Sequence, residues 1–440
     1  MRKTVFGCLG AAVVTFALQF TPANVEAAGL FGLAPCDAAA CDPCNAAVFS
    51  PCDPNGDGCY DGCGPKAGKW FLNGHLEAGF FANAYGQKSY YGVGAASLFG
   101  RGADFGSGNT DLLMNTRLTG AQINQVYVSM GRAVDGRHGL DIGGTVDFSW
   151  GSDTYMVQAG GLEYLDRNPP GTERWGTGDY FSAFPQAYVE AAFGKWNVKA
   201  GKFYTPFGSS HYKSTDNFFY SWDPSALIVP HTAGGAYATY AVNSKLAVFG
   251  GWVMPDEIGK SSKNNAVLGG LVWTPSQRFS FRYSFAAGEN TDEFGFLPYD
   301  IFVQTLGFTA NMNKRLKYVF DWTLLNINDK GQATGFHAAA YVLNNEIIYQ
   351  YNKKWAFGTR FGVFNANDYA TNAFPVEAGD WNYVSLGANW TPNKWLTVKP
   401  EIRYDWMSDK DAEIFNVYKS AGNDGKHDQF SGGLSAVVKF

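Results

Sequence analysis

Apolar and polar residues alternate along long stretches of this chain. From Trp70 to Tyr85 one face carries Trp70, Leu72, Leu76 and Phe80, and the other Asn73, His75, Glu77 and Asn83. A period of two held over that length predicts a long β-strand with one apolar face. The pattern returns at Leu140–Trp150, where Ile142, Val146 and Phe148 oppose Asp141, Thr145 and Asp147. It returns at 279–285, 316–323 and 396–406, where Ile402, Tyr404 and Trp406 oppose Glu401, Arg403 and Asp405. Strands of a soluble sandwich run to about five or six residues. These run to ten or more, the length that crosses a bilayer at a tilt. In such a strand the apolar face meets lipid and the polar face meets a lumen.

Turn signals divide the chain with a regular rhythm. Short polar turns are expected near 134–138, 194–195, 243–244, 275–277, 313–314, 352–354 and 392–393. Longer polar segments lie between them, at 87–119, 152–182, 207–233, 255–264, 289–299, 327–335, 367–380 and 408–427. Seven short turns and eight long loops join sixteen strands. The fold class expected is therefore all-β: a transmembrane antiparallel up-and-down β-barrel of 16 strands over residues 70–440. Short turns would be periplasmic and long loops extracellular. Aromatics flank the short turns, as in Phe193 and Trp196, Trp273 and Phe279, Tyr351 and Trp355, Trp390 and Trp395. Such rings form a girdle at the headgroup level. Trp395 falls one residue out of phase with its strand, so a bulge or turn position is expected there.

Composition agrees. Charged residues are 17% and aromatics 16% of 440 residues, with 53 glycines. A soluble globular chain carries roughly a quarter charged residues. The net charge of -5 excludes the basic face of a nucleic-acid binder. Six histidines spread singly offer no metalloenzyme pattern, no cofactor is expected, and no G-x-S-x-G or H-E-x-x-H motif occurs. The one local His/Ser/Asp group, His211 near Ser209, Ser210 and Asp216, sits in a loop, so an enzyme is the weaker reading.

The N-terminus looks like a secretory signal, residues 1–28. Arg2 and Lys3 precede an apolar run from Val5 to Phe20, and a small-residue cleavage site follows at Val25–Ala28. Residues 29–69 then form a Pro- and Gly-rich extension holding Cys36, Cys41, Cys44, Cys52, Cys59 and Cys63. In an exported segment this spacing favours disulfides over a metal knot, with fifteen connectivities open. Asp53–Gly58 resembles the start of a calcium loop, but Gly64 occupies the place of the bidentate glutamate, so a plain turn is expected. No apolar run after residue 28 is long enough for a membrane helix.

By alternation, the inward set includes His75, Glu77, Asp147, Glu190, Lys199, Arg282, Lys317, Asp321, Glu346, Arg360, Lys399, Glu401, Arg403 and Asp405. Both signs occur, so a polar channel without strong ion preference is expected. The third long segment, 207–233, is expected to fold inward as a constriction. It carries His211, Lys213, Asp216, Asp223 and His231 among Phe218, Phe219, Tyr220 and Trp222. Sugars could stack on those rings; packing of the rings against the wall is the favoured alternative.

The last strand reads Phe430, Gly432, Leu434, Ala436, Val438 and Phe440 on one face. It resembles the terminal signal that outer-membrane barrel-assembly machinery reads. Gly201–Gly208 (GKFYTPFG) is similar to a strand-end motif of general and phosphate-type porins. With Asn217 and Pro230–Gly234, the chain resembles the OmpL-like β-barrel porin family over most of 70–440. The resemblance implies a channel-forming barrel in the bacterial outer membrane, with outer-membrane lipid and small polar solutes as partners. A homotrimer is suggested by analogy alone. The alternative expectation is a barrel that anchors a structural or adhesive surface protein and presents the cysteine-rich segment.

Overall fold

The computed structural model describes residues 69–84, 120–165, 173–177, 180–255, 264–291, 298–329, 337–367, 379–408, 415–419, 422–426 and 428–440. The expectations for the signal segment, the six cysteines and the segment 87–119 lie outside these residues.

Sixteen antiparallel strands form the wall. They are β1 (Trp70–Asn83), β2 (Gly120–Arg132), β3 (Asp141–Gly151), β4 in two pieces (Tyr180–Ala183 and Ala187–Phe193), β5 (Trp196–Tyr204), β6 (Thr232–Asn243), β7 (Leu246–Pro255) and β8 (Asn264–Ser276). Then follow β9 (Phe279–Thr291), β10 (Pro298–Asn311), β11 (Leu316–Asp329), β12 (His337–Gln350), β13 (Trp355–Ala366), β14 (Gly379–Asn393), β15 (Leu396–Met407) and β16 (Asp428–Lys439). Each pairs with its neighbour in sequence, and β16 returns to β1 in the register His75↔Lys439. The ring is closed, so every strand edge is paired. That is the condition for β-structure to stand in hydrocarbon.

The predicted alternation sorts the two faces. Leu72, Phe80, Ile142, Val189, Trp252, Val267, Leu386, Ile402 and Leu434 are exposed on the outside, where lipid would cover them. His75, Glu77, Asp147, Asp321, Arg360, Lys399, Glu401, Arg403 and Asp405 are buried on the inside. Directly opposed residues of antiparallel neighbours share a face, and the inner set is linked by such pairs as Arg360↔Ser385, Ser385↔Arg403 and Arg403↔Ser431.

Four of the seven short turns share one local device. Asn243 Oδ1 accepts the backbone N–H groups of Lys245 and Leu246 at 2.8 and 3.0 Å. Asn313, Asn352 and Asn393 do the same for the residues two and three places on, at 2.8 to 3.1 Å. An asparagine side chain that mimics a backbone turn fixes the reversal without glycine. Trp395 lies in the turn after Asn393, and the register between β14 and β15 shifts between Trp390 and Asn393, which accounts for its phase. The apolar girdle is present at this end: Trp196, Trp273, Tyr351, Trp355, Trp390 and Trp395 are all exposed. Trp355 stacks between Phe357 and Trp390 at 6.0 Å from each.

Candidate channel constriction

The segment between β5 and β6 turns into the barrel. Its two ends are pinned together: the Thr205 N–H donates to the His231 carbonyl at 3.1 Å, and the Thr205 hydroxyl donates to the Pro230 carbonyl. The two sequence motifs, 201–208 and 230–234, are thus the neighbouring posts of one inward loop. Gly208 has φ 69°, a backbone angle that side chains other than glycine's rarely adopt, where the chain swings off the wall. Asn217 closes the loop's tip by accepting from the His211 N–H at 2.9 Å and donating to the His211 carbonyl at 2.6 Å.

Strands β13 and β15 hold the loop with charges assigned by alternation to the lumen. Glu401 accepts the N–H groups of Tyr220 and Ser221 at 2.8 Å each and the Ser221 hydroxyl at 2.6 Å. Arg360 donates to the Ser221 carbonyl at 2.9 Å and lies 3.4 Å from Glu401. Arg403, paired to Asp405 at 2.8 Å, donates to the Trp222 carbonyl at 2.8 Å. Lys399 donates to the carbonyls of Ser214 and Asn217 at 2.6 and 2.7 Å. These charges are buried and hydrogen-bonded to loop backbone, which satisfies polar groups that would otherwise be costly inside the barrel.

The loop aromatics pack on the wall, as the favoured alternative expected. Phe218 covers Gly358 on β13, Phe219 covers Gly387 on β14, and Tyr220 lies between Gly79 on β1 and Gly433 on β16. A Cβ at Gly387 would stand 3.0 Å from the Phe219 ring, and one at Gly433 2.6 Å from Tyr220. The Arg360 guanidinium rests over Phe219 at 4.6 Å. On the far side, Gln125 on β2 donates to the Tyr212 carbonyl at 2.7 Å and accepts from the Ser214 N–H at 3.1 Å. His75 bonds Gln125 at 2.9 Å and stacks on Tyr127 at 5.0 Å. Burial raises the Tyr212 and Tyr220 phenols well above their ordinary value, so both stay neutral.

A second piece of chain also turns inward. Ser152–Val157, a short 3₁₀ turn after β3, tucks under the same loop. Asp153 accepts from Asn124 and Gln125 at 3.2 and 3.3 Å. Its burial, with the charge of Glu77 nearby, pushes its carboxyl up to about 7. Further on, Glu163 forms a fully buried pair with Lys202 of β5 at 2.8 Å and also accepts the N–H groups of Ala159 and Phe184. No sequence signal marks Asp153 or Glu163, and Lys202 is marked only as part of the 201–208 motif, because their role depends on a loop turning inward.

Other inward positions differ in how far the loop covers them. His211 and Asp216 are exposed at the loop's tip, and Lys213 lies over the Tyr127 and Tyr204 rings at 5.0 and 5.9 Å. Enclosure by the barrel holds the His211 imidazole below its ordinary value; Asp216 opposes this, and Arg282 and Lys317 add to it. Glu190 and Lys199 face each other at 3.7 Å on β4 and β5, with 14% and 17% of their side-chain surface open. Arg282, Lys317 and Glu346 are half-buried on β9, β11 and β12. Arg282 donates to the Gly208 carbonyl, and Asp321 accepts from Thr323 at 2.9 Å. Asp223 and His231 lie elsewhere than the loop's open face. Asp223 is buried and accepts the hydroxyls of Ser210 and Ser225, while His231 Nε2 lies 3.0 Å from the Ala226 carbonyl.

Comparison with known proteins places this architecture among porins. The structure is similar to an anion-selective porin from Comamonas acidovorans, with a TM-score of 0.54 and 11% identity over 84% of this chain and 99% of that one. It is similar to the outer-membrane channel DcaP of Acinetobacter baumannii (0.53, 11%, covering 86% and 99%). It is also similar to Salmonella typhi OmpF in complex with daunomycin (0.52, 11%, covering 85% and 98%). At that identity the likeness is one of fold. No curated protein matches the chain. The family model described as "Putative beta-barrel porin-2, OmpL-like" matches residues 96–440, and the chain belongs to that family of outer-membrane β-barrels.

Proposed function

We propose that the protein is a diffusion channel for small polar solutes in the outer membrane, narrowed by the loop at 205–231. The observation that carries this reading is the unequal use of the inner wall. The loop is fastened to β13–β16 and β1–β2, with further bonds from Arg282 and Ser284 on β9 and Asn344 on β12, while Glu190, Lys199, Lys317 and Glu346 keep partial access to the bore. A sixteen-stranded ring is wide enough for an inward loop to narrow it and still leave an aqueous passage beside those partly open charges. Charges of both signs beside that passage support a pore of weak ion preference. The family and the porin fold support the same reading.

Planar-bilayer recording of the purified full-length chain tests it. Stable conductance steps, with a reversal potential near zero in a salt gradient, are expected. A folded barrel that stays silent overturns the channel and leaves the anchoring role for the N-terminal segment. The pairing of β16 with β1 up to Phe440 supports the terminal strand as the element that assembly machinery engages.

A further inference from the structure

The chain as a whole is acidic, with 39 Asp and Glu against 34 Lys and Arg. The end of the barrel that carries the short turns reverses that balance. The turns 244–245, 277–278, 312–315, 351–354 and 394–395 contain Lys or Arg in every case and no acidic residue. The densest stretch is formed by Lys314 and Arg315, then Lys353 and Lys354, all exposed. None of these four is in an ion pair among the described residues. Their backbone is fixed: the Arg315 carbonyl accepts from Gln350 N–H at 2.7 Å, and the Lys354 carbonyl from Thr391 N–H at 2.8 Å. The asparagine caps at Asn313 and Asn352 hold the turns themselves.

We propose that this rim binds the phosphate headgroups of anionic phospholipids in the periplasmic leaflet. Three features favour lipid over a protein partner. The cations sit just beyond the exposed girdle of Tyr351, Trp355, Trp390 and Trp395, so they stand at the level of the headgroups. They recur once per hairpin, roughly 10 Å apart, which is two strand spacings. That distributes them along the perimeter instead of gathering them in one patch. The turn between β2 and β3 breaks the pattern in an informative way: there Arg137 is paired with Asp135 at 2.9 Å and Arg132 with Asp141 at 2.7 Å. That turn neutralises itself, and the others do not. Long basic side chains reach out from an apolar belt to anionic headgroups while their stems stay on the apolar surface.

The test uses the full-length chain in zwitterionic detergent, with lipid retention read by native mass spectrometry. Phosphatidylglycerol should be retained over phosphatidylcholine by about tenfold, and the preference should vanish in molar salt. The variant Lys314→Gln, Arg315→Gln, Lys353→Gln, Lys354→Gln should lower that preference to about twofold. Heat-modifiability on a gel checks that the variant is folded. Inorganic phosphate should not displace the bound lipid. Equal retention of the two lipids overturns the proposal, as does full displacement by inorganic phosphate or an unchanged preference in a folded variant. Capture of polyglutamate without any phosphatidylglycerol preference also overturns it, in favour of an acidic polymer. Should the variant fail to fold, the wild-type lipid preference and its salt dependence decide alone.

Discussion

The two sides of the inner wall carry similar residues and use them differently. On β13–β15, Arg360, Arg403, Lys399 and Glu401 are almost fully enclosed, and each is hydrogen-bonded to loop backbone. On β4 and β5, Glu190 and Lys199 pair loosely with each other and remain partly open. A lysine at an inward position of a barrel strand is therefore no guide to its task. What decides is whether a loop lies on it. The glycines mark the difference in advance: Gly358, Gly387 and Gly433 leave the hollows that Phe218, Phe219 and Tyr220 fill, and the β4–β5 hairpin has no counterpart to this footprint among the described contacts.

The strongest way to break this contrast is Glu401→Ala. The change strips two backbone N–H groups, a hydroxyl and Arg360 of their shared partner in a buried setting. Removing one member of such a group costs about 3–5 kcal/mol. The loop should leave β13–β16, and single-channel conductance should rise severalfold in planar bilayers. An unchanged conductance would show that the loop is held without this carboxylate. Gly358→Leu comes next. It fills the hollow under Phe218 and should cost about 1–3 kcal/mol as overpacking. A lower thermal midpoint with noisier open-channel current is the expected outcome. The corresponding change at Gly250, which faces open space and meets only the Leu268 carbonyl at 3.6 Å, should leave both readouts near wild type.

The barrel was legible in the sequence because its signals are local. Period-two alternation fixes which face meets lipid, and an asparagine before a basic residue fixes four of the seven reversals, as at Asn313–Leu316. The inward set was legible for the same reason: Lys399, Glu401, Arg403 and Asp405 fall on alternate positions of one strand. Their tasks were not legible, because the contacts join residues some 180 positions apart, such as Tyr220 and Glu401. The inward turn at Ser152–Val157 lacks any periodic signal and is held by side chains of β2. Sequence proximity groups Asp223 and His231 with His211, and only the fold separates the open tip from the pinned ends.

On the open side the expected effects are smaller. Glu190→Gln removes a negative charge beside the passage and leaves Lys199 without its ion partner. The permeability ratio should move toward anions by about twofold, with conductance nearly unchanged. A shift of the same size from Ser385→Gln, on the fastened side, would mean that ions pass there too and would erase the distinction between the two arcs.

The seam between the two inward pieces gives the finest probe. Asp153 lies against Asn124 and Gln125, and its carboxyl titrates near 7 instead of near the unfolded value of about 3.9. Between those values the folded protein holds a proton that the unfolded chain has released. The contribution of the neutral acid is thus full below about pH 4 and is lost as pH rises through 7. Wild-type thermal stability should therefore fall between pH 5 and pH 8 through this group. Asp153→Asn cannot ionise and, with one acceptor oxygen in place of two, keeps one of the two amide bonds, so its midpoint should vary less across that range than the wild type's. Profiles that superimpose would show that the carboxylate reaches water, and that the 3₁₀ turn belongs with the open side of the barrel instead of the fastened one.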